Sequence, residues 1–150
     1  MNTKYGDKIC ELEPGYKPSK NEEFMNPKQL EYFRRKLIDM ETEIQNELQK
    51  EFSNLEITYN LDEASDKIDQ ASIESEYILS LKTKTRAEKL LQKIRYALLK
   101  IKNHTYGYCE ATGEPIDLAR LEIRPTATLS IKAQEKHEQE EKLRKERGVK

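Results

Sequence analysis

Leu30, Phe33, Leu37, Met40, Ile44 and Leu48 recur at spacings of three and four residues, and mostly polar side chains fill the positions between them. This period draws one apolar stripe along a helix. Asn26 stands where a helix cap is needed, and Pro27 takes the first helical position, where a missing N–H costs nothing. The stripe fades near Phe52, where this first helix is expected to end. A second stripe, Ala87, Leu91, Ile94, Leu98 and Ile101, repeats at four, three, four and three. It predicts a helix from about Asp66 to Asn103. Residues 53–65 between the two show no helical period and contain Asn54, Asn60 and Ser65. Neither helix can bury its stripe alone, so the pair is expected to form an antiparallel coiled-coil hairpin, about 50 Å long at ~1.5 Å per residue.

The flanks have a different texture. Residues 1–26 carry Pro14, Gly15 and Pro18 among polar side chains and read as an extended arm, disordered at its start. After the hairpin, Tyr106, Tyr108, Ile116, Leu118, Leu121, Ile123 and Leu129 offer the core of a small globule. Thr126 is placed to cap a last helix, whose final turns mix charges with almost no apolar face. The expected fold is mostly all-α, with an arm over 1–26 and a hairpin over 27–103 whose tip lies at about 53–70. A globule over 104–133 and a C-terminal helix over 134–150 follow.

Composition supports a narrow seam over a broad core, since 37% of the 150 residues are charged and 35% hydrophobic. A net charge of -1 gives no global attraction to nucleic acid or to a membrane. No apolar run is long enough to span a bilayer, and the two cysteines, Cys10 and Cys109, sit in unlike segments. A soluble, cytoplasmic, monomeric chain is the expectation. The hairpin's charge is polarised: residues 53–78 hold seven acids against Lys67, whereas residues 82–102 hold eight bases against Glu88. Solvated helix faces explain such runs, and a nucleic-acid footprint is the competing reading.

Four positions carry the remaining chemistry. Cys109, Thr112, Ser130 and Ala133 stand at intervals of two, seventeen and two residues. With cysteine at all four this spacing would be a four-thiolate zinc site. Only Cys109 can supply a thiolate, and His104 and His137 do not complete a tetrahedral set, so no metal and no bound cofactor are expected. Cys109 then reads as a packed structural thiol or as a redox-sensitive one. Asp66 and Asp69 have a plain reading as a capping arrangement at the start of the second helix. No nucleophile–base pair and no glycine-rich phosphate loop appears, so an enzyme is not expected.

The finger-like stretch resembles the DksA/TraR family through Gly107, Cys109, Gly113, Ile116, Arg120, Leu121, Arg124, Pro125, Thr126 and Leu129. Residues 25–37 resemble the family's first helix, and Asp66, Asp69 and Ala71 match its tip motif, Asp-x-x-Asp-x-Ala. The resemblance implies a regulator that binds RNA polymerase without binding DNA. It would place the tip in the secondary channel near the catalytic centre and destabilise open promoter complexes. It implies the alarmone ppGpp as co-regulator, with Leu90, Lys93 and Arg124 as alarmone and polymerase contacts. A third basic position of the family falls on Gln134 here, which puts the alarmone response in doubt. A transcript-cleavage factor with an acidic tip and a purely structural coiled-coil adaptor remain the competing functions.

Overall fold

The computed structural model describes residues 6–61 and 67–148, the side chains of 55–61 and 67–70 excepted. Four helices follow in order: α1 Pro27–Leu61, α2 Lys67–Lys102, α3 Leu118–Ile123 and α4 Ile131–Glu146. No strand occurs among the described residues, and one isolated bridge joins Tyr108 to Pro115. The fold is mostly helical, as the two stripes require.

α1 runs to Leu61, beyond the end near Phe52 that the fading stripe suggests. The extra stretch, Ser53–Leu61, contains neither glycine nor proline. Loss of an apolar face removes a reason to pack, but it does not break a helix. The tip expected at about 53–70 therefore begins within α1, and residues 62–66 lie outside the described residues.

The chain divides into two compact units, Ile38–Arg95 and Met1–Leu37 with Tyr96–Lys150. In the first, the two long helices run antiparallel: Arg95 Nε meets Glu41 Oε1 at 3.2 Å, and Lys84 lies 5.2 Å from the centre of the Phe52 ring. Leu91 and Ile94 are buried there, while Met40, Ile44, Leu48 and Ala87 are half-buried. The stripe thus holds, with its tightest packing at one end.

The second unit gathers the helix roots, the arm and the globule around Leu30, Phe33, Leu37, Leu98, Ile101, Tyr106, Ile116 and Leu121, all buried. The arm is held by α1 from residue 6 onward. Arg34 Nη2 donates to the Gly6 carbonyl at 2.8 Å, and the Ile9 N–H donates to the buried Glu31 carboxylate at 3.1 Å. Asn26 caps α1 through its side chain, which accepts from the Gln29 N–H. Two expected core residues lie elsewhere: Ile123, at the end of α3, is 87% exposed, and Tyr108 packs edge-on against Phe24 at the surface. A helix of six residues buries one face only, and here that face is Leu118 and Leu121. Thr126 does not cap the last helix. α4 starts five residues later, with Ser130 as its cap.

Candidate functional site

The four finger positions come together as two knuckles joined by hydrogen bonds. The Cys109 N–H donates to the Glu114 carbonyl and the Gly113 N–H to the Cys109 carbonyl, both at 2.8 Å, which closes the first knuckle. Gly113 sits there at φ +75°, a conformation that side chains with a Cβ rarely adopt. Thr112 Oγ1 accepts from the Glu114 N–H at 3.3 Å, and Ser130 Oγ accepts from the Ala133 N–H at 3.3 Å. Glu110 N–H reaches the Thr128 carbonyl at 2.9 Å and ties the first knuckle to the second. The Cys109 side chain is buried between them. Burial pushes its thiol up, but hydrogen bonds from the Thr112 hydroxyl and from backbone groups of Ser130, Thr112 and Ala111 outweigh that and bring its pKa down to about 6.

These residues do not fit zinc. One thiolate is present, both hydroxyl oxygens are committed to backbone N–H groups, and Ala133 has no donor atom. No group of three or more His, Cys, Asp or Glu side chains able to hold a metal ion occurs among the described residues.

Other residues of the resemblance explain how the loop keeps its shape. Tyr106 donates its hydroxyl to the Pro125 carbonyl at 2.6 Å in the core, and Arg120 Nε donates to the Leu129 carbonyl at 2.9 Å. Gly107 stands at φ +91°, and a Cβ there would lie 3.0 Å from the Met25 side chain. Sequence reasoning missed two further contacts that fasten the globule. Tyr96 donates to Glu110 at 2.6 Å and Lys100 joins the same carboxylate oxygen at 3.2 Å. Lys36 bonds Glu122 at 2.7 Å, and Tyr32 donates to that carboxylate. Each is a Tyr-x-x-x-Lys pair on a long helix that grips one glutamate, and that repeated spacing is the signal that could have found them.

Of the remaining candidates, Ala71, Lys93 and Arg124 are exposed. Asp66 falls outside the described residues. Asp69 belongs to the first turn of α2, with its side chain outside the described residues, and Ala71 is exposed on the same helix. Leu90 and Lys93 follow on α2 in the hairpin unit, half-buried and exposed. Arg124, in the other unit, is exposed and ends α3, its N–H bonded to the Arg120 carbonyl. Gln134 turns along α4 and donates to Glu138 at 2.9 Å.

A helical hairpin followed by a zinc-finger frame that keeps one cysteine of four defines a specific class of chain. Residues 29–101 match the family described as DnaK suppressor protein DksA, N-terminal domain, and residues 104–139 match the prokaryotic dksA/traR C4-type zinc finger. The RNA polymerase-binding transcription factor DksA of Caulobacter vibrioides is 47% identical over 131 residues, 87% of this chain and 91% of its own length. The protein of that name from Escherichia coli K12 is 38% identical over 82% of this chain and 80% of its own. The solved transcription factor DksA2 from Pseudomonas aeruginosa superposes with a TM-score of 0.71 at 40% identity, covering 79% of this chain and 90% of that one. The chain belongs to the DksA/TraR family. Its relatives are named as transcription factors that bind RNA polymerase, not as enzymes.

Proposed function

We propose that this chain regulates transcription by binding RNA polymerase directly. The observation that carries the reading is the 47% identity to a polymerase-binding factor across 91% of that factor's length. The hairpin enters the secondary channel and brings Asp66, Asp69 and Ala71 near the catalytic centre. There the negative charge destabilises open promoter complexes, including those at ribosomal RNA promoters. Leu90 and Lys93 on α2, and separately Arg124, contact polymerase and the alarmone ppGpp. The alarmone's phosphates suit charge-assisted bonds from the two cations. Gln134, where the family has a base, weakens that response. The protein acts from the cytoplasm as a single chain, holds no zinc and touches no DNA.

Lifetimes of open complexes at a ribosomal RNA promoter, with and without ppGpp, test the reading. The chain is expected to shorten them, and more so with ppGpp. Unchanged lifetimes together with cleavage of transcripts in backtracked complexes would assign the acidic tip to metal-assisted hydrolysis instead. Failure to be retained by core polymerase would leave only a structural adaptor.

A further inference from the structure

One stretch of the hairpin unit leaves its seam. Between Ile73 and Ala87 the half-buried line of α2 passes through Ser80 and Lys84, so polar side chains occupy the seam itself. The apolar residues of this stretch stand outside it, with Tyr77 46%, Leu81 43% and Phe52 on α1 59% exposed. These three and Leu48 line a groove of about 370 Å³ whose wall includes Glu51 and Lys84. Single exposed apolar residues need no explanation, but three of them lining one groove beside Leu48 do.

The row of α2 that borders this groove consists of positions 74, 77, 81 and 84, at spacings of three, four and three. Such spacing keeps all four on one side of the helix. The row reads Glu, Tyr, Leu, Lys and is symmetric about residue 79. We propose that a second copy of this chain covers the groove, paired antiparallel about a twofold axis at that level. The axis sets Glu74 against the partner's Lys84 and Tyr77 against the partner's Leu81, and each contact occurs twice. Lys84 is held at the groove by the Phe52 ring, 5.2 Å away, and its ammonium lies 4.0 Å from Glu88 of its own helix, a loose contact that leaves room for a second carboxylate. Glu74 is exposed and has no hydrogen bond or ion pair among the described residues. The surface is complementary to itself in charge, which selects a copy over an unrelated helix. The pairing rests on four side chains from each copy, far fewer than the ~20–30 residues a side of a stable interface. The pair is therefore weak, and it exchanges with the single chain that meets polymerase.

Sedimentation velocity of the full chain from about 1 to about 200 µM tests the pairing. The expected result is a shift from monomer to dimer mass as concentration rises, reduced by added salt. Glu74→Lys and Lys84→Glu should each weaken the dimer about tenfold, because each creates two like-charge contacts, and the double swap should restore it. Circular dichroism checks that the helices persist, and Glu74→Lys leaves the groove wall intact. A chain that stays monomeric throughout overturns the proposal, as does a dimer indifferent to both reversals. Loss of polymerase affinity in Leu81→Glu, with the unaltered chain monomeric throughout, also overturns it and gives the groove to polymerase.

Discussion

The Tyr96 hydroxyl donates to the Glu110 carboxylate at 2.6 Å, and the same relation recurs between Tyr32 and Glu122. In both places a lysine four residues after the tyrosine completes the grip, Lys100 on Glu110 and Lys36 on Glu122. The globule is thus fastened to the root of each long helix by a carboxylate, a phenol and an ammonium group.

These clamps make stability depend on pH at both ends. Tyr96, with Lys100, holds the Glu110 carboxyl below its ordinary range. Burial raises that of Glu122, but Lys36 and Tyr32 more than offset it. A carboxyl lowered by folding stabilises above its unfolded pKa, near 4.3, and the contribution is lost as pH falls. Burial and the Glu122 bond push Tyr32 up to about 12, so its contribution is present below about pH 10 and lost as pH rises. The variant Tyr32→Phe/Tyr96→Phe should melt below the unaltered chain at about pH 7, with a gap that narrows toward about pH 3.5. Thermal melts at the two pH values check this, and the separate losses should add, since the clamps share no residue.

A second consequence concerns Cys109. Against the effect of burial, the hydrogen bonds around its thiol bring the pKa down to about 6, which favours the thiolate at neutral pH. The stability this supplies is complete above the unfolded thiol's pKa of about 8.5 and is lost as pH falls through about 6. Thiolate absorbance in the ultraviolet, recorded against Cys109→Ser, should rise with a midpoint near that value. A midpoint near that of a free thiol would mean that the surrounding hydrogen bonds are not made.

Much of this fold could be read in the chain because two stripes at helical spacing leave few ways to be buried. The emptied finger was equally legible, since the intervals between Cys109, Thr112, Ser130 and Ala133 do not depend on what occupies them. What the sequence hid was pairing between distant polar residues. The Tyr-x-x-x-Lys spacing marks the grip on each long helix, but nothing local names Glu110 or Glu122 as its target, the latter 86 positions from Lys36. The end of α1 differs for the opposite reason: the stripe fades near Phe52, but no breaker stands there and the helix continues to Leu61. Ser130, at the third finger position, also caps α4 through its side-chain oxygen, a role its spacing from Cys109 does not reveal.

Removing metal should change nothing. A structural zinc contributes ~10–16 kcal/mol to folding where four good ligands exist, and three are missing here. EDTA should leave helicity and melting temperature unchanged, and the purified chain should carry no stoichiometric zinc. Unfolding by the chelator would contradict the account of the knuckles.

Arg124 is exposed at the end of α3, so its side chain can be shortened without opening the core. A charge-assisted contact to a phosphate is worth roughly 1.5–3 kcal/mol. Arg124→Ala should reduce the effect of ppGpp on promoter complexes by about tenfold or more while polymerase binding persists. An unchanged ppGpp dependence would remove Arg124 from the alarmone contact.

The central claim is that the hairpin delivers a negative charge to polymerase, and Asp69→Asn tests it most directly. Asparagine keeps the size of aspartate, and in the first turn of α2 the loss of charge should cost no more than about 1 kcal/mol. Open-complex lifetime and affinity for core polymerase are measured together on the unaltered chain and the variant. The account predicts that the variant binds polymerase with unchanged affinity and no longer shortens the lifetime. A variant that shortens it as well as the unaltered chain would contradict the claim, and one that instead loses affinity would make the tip an anchor.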